Sequence, residues 1–211
     1  MEIRKYELLS EDELLRRLKR TRLRGFDRAE VYRDASLEIA TMDTGSLTPS
    51  QRYVLKDGVQ AMLEVYKAFL PLGIDVFTLR GAVLFWTADS DPAAEPPIPF
   101  LPPVVEESAE PDGRTVLLIN DGIHRVFAAR KLGRPINVVL ARNVPRQYPY
   151  YAYALRTGWE SVEELNELQE GYQKKEYRIP DNYKALFRDF NEVFEGVQKQ
   201  RKRTNPEHLK A

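Results

Sequence analysis

The 211-residue chain carries 32 basic and 32 acidic side chains, two histidines and no cysteine. Such a length can bury one core of ordinary size, and the balanced charge creates no overall field toward nucleic acid or a membrane, so any electrostatic recognition must be local. The missing thiols exclude disulfides, thiolate catalysis and iron–sulfur or cysteine-based zinc centres, and two histidines leave little from which to build a haem or a histidine-rich metal site.

Ser10 and Glu13 have capping-box spacing, and Leu14, Leu15 and Leu18 share one face, which predicts a helix from about Glu11 to Arg22. Arg16, Arg17, Lys19, Arg20, Arg22 and Arg24 read as a solvated face balanced by nearby acids; the alternative is a nucleic-acid patch, to which Lys199 to Arg203 would add. A longer helix is expected over Pro49 to Leu70, with Thr48 as N-cap and Val54, Leu55, Val59, Met62, Leu63, Tyr66, Phe69 and Leu70 as its apolar stripe. Asp75 to Thr87 then reads as strand-turn-strand around Arg80-Gly81. Six prolines between Asp89 and Pro103 predict an extended surface loop.

Arg114 to Leu140, RTVLLINDGIHRVFAARKLGRPINVVL, follows the order strand, tight turn, helix, strand. Gly122 permits the reversal, and Asp121 suits the helix cap, leaving an oxygen for magnesium or a substrate hydroxyl. The helix start presents unpaired N–H groups and a partial positive charge, with the His124 imidazole and the Arg125 guanidinium beside it. Asn120, Gly122, Ile123, His124 and Arg125 are therefore candidate phosphate or nucleotide ligands, and the helix dipole should lower the His124 pKa. Ala128 and Ala129 allow close approach of this helix to the sheet.

Beyond it, Ser161 and Glu164 again have capping-box spacing, before Val162, Leu165 and Leu168. Tyr183, Leu186, Phe187, Phe190, Val193 and Phe194 fall at helical spacing in a last helix that should dock on the core. No repeat or linker breaks the chain. One domain over 1–211 is expected, with a helical part at 1–72, a central core at 73–146, a second helical part at 147–197 and a flexible basic tail at 198–211. No apolar run reaches the roughly 20 residues that span a bilayer, and MEIRKYELLSEDELL lacks a signal-peptide core, so a soluble cytoplasmic protein is expected.

Leu117 to Val144, LLINDGIHRVFAARKLGRPINVVLARNV, resembles the core motif of the ParB/sulfiredoxin superfamily: a strand ending in a D-G-x-H-R-like turn, a short helix with an alanine face, a K-L-G end and a following strand. Ile98 to Ser108 loosely resembles the stretch that leads into it. The resemblance covers about a quarter of the chain and implies an α+β fold, with a small mixed sheet wrapped by N- and C-terminal helices. It also implies Gly122, His124 and Arg125 as ligands of nucleotide phosphates, with Asp121 supporting them. Sulfiredoxins carry a catalytic cysteine where Ile123 stands, so sulfinic-acid reduction does not carry over. The G-E-R-R-like turn and helix-turn-helix of chromosome-partitioning ParB proteins are not evident.

Other relatives phosphorylate serine or have been described as nucleases. Phosphoryl transfer would need a carboxylate base and usually magnesium. Asp121 is the candidate metal ligand, and Asp121, His124 and Glu106 or Glu107 are candidate catalytic residues if the acids upstream return across the turn. The expected partner is a nucleotide or phosphorylated small molecule. A non-catalytic interaction protein with the same fold is the remaining alternative.

Overall fold

The computed structural model describes residues 1–190 and Val193. In chain order these run β1 (Ile3–Leu9), α1 (Glu11–Leu18), β2 (Arg22–Leu23), β3 (Ser36–Met42), β4 (Leu47–Thr48), β5 (Tyr53–Leu55), α2 (Lys56–Phe69), β6 (Ala82–Thr87), β7 (Ile98–Phe100), β8 (Val104–Ala109), β9 (Thr115–Asp121), α3 (Ile123–Lys131), β10 (Ile136–Arg142), β11 (Glu163–Leu165) and β12 (Arg188–Asp189). No described helix is long and apolar enough to cross a membrane.

The main sheet has the order β3-β10-β8-β9-β4. Strand β8 pairs antiparallel with β9 and parallel with β10, so the β9-α3-β10 connection steps over it. Ile136 to Ala141 are all buried because both sheet faces are covered. On one face Val138 and Leu140 pack with Val54 and Val59 and with Val126, Ala128 and Ala129 of α3. Against the other, Val139 and Ala141 pack with Leu14 and Leu18 of α1. The two alanines thus sit fully buried between helix and sheet, in keeping with their small size.

Helix α1 starts where its sequence signals put it but ends at Leu18, not Arg22, because Arg22 enters β2 and pairs with Asp189. The Ser10 hydroxyl accepts from the Glu13 amide at 3.3 Å, and Leu14 and Leu18 enter the core. Its basic residues find local partners: Arg16 and Arg17 hold Glu13 at 2.7 and 2.6 Å, pulling that carboxyl below its ordinary range, while Lys19 donates to two backbone carbonyls.

Several expected helices are corrected. The second starts at Lys56, not Pro49, because the preceding residues enter sheets: Leu47 and Thr48 pair with Leu117 and Leu118, and Tyr53 to Leu55 pair with Glu163 to Leu165. Of the expected strand pair only β6 forms. Residues 75–79 make a turn in which the Asp75 carboxylate accepts from the Phe77 amide, and Asn137 donates to the Thr78 and Leu79 carbonyls. The proline-rich stretch is only half a surface loop, since Ile98–Phe100 joins β6 and residues 101–103 are buried.

The C-terminal helical wrap is absent among the described residues. Residues 158–161 form a 3-10 turn in which the Ser161 hydroxyl bonds Thr157 instead of capping a helix, and Glu163 then pairs with β5. Tyr183–Leu186 is a second 3-10 turn, and Arg188–Asp189 pairs with β2. Leu186 still docks in the interior, without the helix its spacing suggested, and Val193 is buried as well. Phe194, His208 and the basic tail lie outside the described residues. The molecule is thus a mixed α and β fold with several sheets, and residues 1–72 contribute five strands as well as helices.

Candidate functional site

The turn after β9 opens onto a pocket of about 420 Å³. Asn120 to Arg125 line it, together with Ser50, Gln51, Tyr53, Leu55, Gly58, Tyr151 and Lys175. Gly122 is the N-cap of α3 at φ 89°, and no side chain caps the helix there. The position demands glycine twice over: its φ is left-handed, and a Cβ would lie 3.0 Å from Arg125 Nε and 3.1 Å from Pro103 Cα. Asp121 was expected to cap the helix. Its carboxylate instead accepts from Arg125 Nη2 at 2.6 Å.

Arg125 consequently points back across the turn. Its guanidinium also donates to the Leu101 carbonyl and lies over the Phe100 ring, which ties α3 to the end of β7. The His124 imidazole accepts through Nε2 from the Leu55 amide at 3.1 Å, so the neutral ring carries its proton on Nδ1. Burial, then the Arg125 cation, hold its pKa below the usual 6.5 against the opposing pull of Asp121. The direction matches the expectation, but desolvation is the main cause. Gly58 allows the ring to sit there, since a Cβ on it would fall 2.7 Å from His124 Cδ2.

Neither Glu106 nor Glu107 lines this pocket, contrary to the expectation that the upstream acids return to the turn. Adjacent strand residues point to opposite faces. Glu107 is exposed and lies 3.6 Å from Arg142. Glu106 is buried and accepts from Tyr32 Oη at 2.6 Å, from Asn120 Nδ2 and from Arg188 Nε and Nη2 at 2.9 and 3.0 Å. Burial, followed by the Glu106 charge, pushes the Tyr32 phenol well above its ordinary range. The Asn120 side chain therefore turns away from the pocket, while its carbonyl accepts from Tyr150.

Sequence reasoning missed Lys175. Its ammonium donates to Ser50 Oγ at 3.2 Å and Tyr150 Oη at 2.9 Å and lies 4.6 Å from the Tyr151 ring centroid. Among the described residues no carboxylate lies within ion-pair distance of it. The lysine sits in an irregular segment 54 positions after Asp121, where no periodicity marks it. Among the described residues no three His, Asp or Glu side chains group as a metal site.

A strand, a left-handed glycine, an uncapped helix start and a neutral histidine thus make up the turn that follows β9. A family model described as the ParB CE domain matches residues 13–163, and the chain belongs to that family. No curated protein and no solved structure is detectably similar to it.

Proposed function

We propose that the turn pocket binds a nucleotide or another phosphorylated small molecule. The observation that carries this reading is Lys175, a cation inside the pocket whose partners are hydroxyls and aromatic rings instead of an anion. Among the described residues the one carboxylate lining the pocket, Asp121, is already paired with Arg125. An oxyanion would find the ammonium, the uncapped start of α3 and the His124 Nδ1–H as donors, and Tyr53 and Tyr151 offer faces for a planar base. Arg125 acts through the turn by holding Gly122 and Asp121 in place. Magnesium, if it accompanies the ligand, would take one carboxylate from Asp121 and the rest of its oxygens from phosphate and water. With no second carboxylate in the pocket among the described residues to serve as base, binding is favoured over phosphoryl transfer.

Thermal unfolding with a panel of nucleoside triphosphates, with and without magnesium, tests the proposal. One class should stabilise the protein by about 2.7 kcal/mol at a hundredfold excess over Kd. Lys175→Met should weaken that ligand about tenfold by removing a charge-assisted contact. Absence of any shift with nucleotides and inorganic phosphate would overturn it.

A further inference from the structure

A second cavity, about 410 Å³, shares no lining residue with the turn pocket. It lies between the β8–β9 hairpin, through Glu110, Asp112 and Arg114, and the segment Tyr153 to Ser161, with Arg52 on its wall. Three arginines (Arg52, Arg114 and Arg156) and three acids (Glu110, Asp112 and Glu176) line it, yet the charges are unequally committed.

Glu110 is buried and saturated: one oxygen accepts from Arg178 Nη2 at 2.6 Å and Ser108 Oγ at 2.9 Å, the other from the Ala154 amide at 3.2 Å. Asp112 is held at 2.8 Å by Arg114 and accepts its amide at 3.2 Å. Neither Arg52 nor Arg156 has a carboxylate within ion-pair distance among the described residues. Arg52 Nε is enclosed by protein and has no hydrogen-bond partner among the described residues, so this nitrogen does not itself face the cavity that Arg52 lines. The acid left unpaired, Glu176, belongs to an exposed residue.

We propose that this cavity is a second anion site that takes a phosphate monoester or pyrophosphate group. Guanidinium forks match phosphate oxygens in pairs, and Arg52 and Arg156 bring two of them to this wall with no described carboxylate to occupy them. The Thr157 and Ser161 hydroxyls, bonded to one another, add rotatable donors on the same wall.

The test is a titration of the full chain with inorganic pyrophosphate, observed at the Nε–Hε signal of Arg52 in 15N–1H spectra and by calorimetry. The Arg52 signal should shift saturably. Arg156→Gln, at an exposed position where folding is unaffected, should weaken the binding that this signal reports about tenfold, and Arg52→Gln/Arg156→Gln should abolish it. Lys175→Met should leave it unchanged, which separates this site from the turn pocket. An unmoved Arg52 signal, unaltered affinity in Arg156→Gln, or loss of the response in Lys175→Met would each overturn the proposal.

Discussion

Two arginine–carboxylate pairs flank the end of β9, and they do different work. Arg188 and Glu106 have side chains 0% and 3% exposed, and all five guanidinium donors are used: two on Glu106 and three on the Tyr148, Pro149 and Leu186 carbonyls. Arg125 and Asp121 are 13% and 27% exposed and border the turn pocket. The first pair is closed and structural. The second sets the shape of a surface that still has donors to offer. The same chemistry thus marks a core in one place and the frame of a site in the other, and what tells them apart is how many donors are already used.

The largest expected effect comes from breaking the closed pair. Arg188→Met should cost about 3 to 5 kcal/mol in urea unfolding, because Glu106 would remain buried and charged without its cation. Glu106→Gln in the same chain should restore part of that loss. Arg125→Ala should cost about 1.5 to 3 kcal/mol, the range for a charge-assisted bond, measured the same way. If the two arginines proved equally costly, the distinction between core and frame would fail.

Gly58→Ala sharpens the comparison on the pocket side. An alanine in an exposed helix would normally gain about 1 kcal/mol over glycine. Here the Cβ must displace the His124 ring and its bond to the Leu55 amide, so a net loss of about 1 to 2 kcal/mol is expected instead. Thermal melts of the two proteins decide the sign.

The smallest effect is a pH dependence. The folded His124 takes up a proton less readily than the unfolded chain, so the unfolded state binds more protons just below pH 6.5. Stability should therefore be full above about 6.5 and fall as pH drops toward the lowered folded value, by at most about 1.4 kcal/mol per pH unit. His124→Phe should lack that component in urea midpoints measured from pH 7.5 to 5. An unchanged slope would mean that the imidazole titrates freely.

The sequence was legible where local chemistry decides. Ser10 with Glu13 specified α1, and Gly122 with the apolar run before it specified the turn of the pocket. It was misleading where a distant partner overrides spacing. Thr48 to Leu55 have helical periodicity but are claimed by Leu117, Leu118 and Glu163 to Leu165, and Ser161 is claimed by Thr157. The acids failed for a related reason. Glu106 and Glu107 differ by one strand position, and only knowledge of which face meets Tyr32 and Arg188 could send one into the core and the other to solvent. Lys175 was invisible because no regular element carries it.

The family match ends at Glu163, within β11, yet Glu106 lies inside it and its counter-ion, Arg188, lies 25 residues beyond. Lys175 and Arg178 fall in the same interval. The part of the chain that similarity marks out is therefore electrostatically unfinished. Sequence drift after residue 163 is constrained by charges placed before it, and a fragment cut at that point would strand two buried carboxylates, Glu106 and Glu110, without the cations that neutralise them.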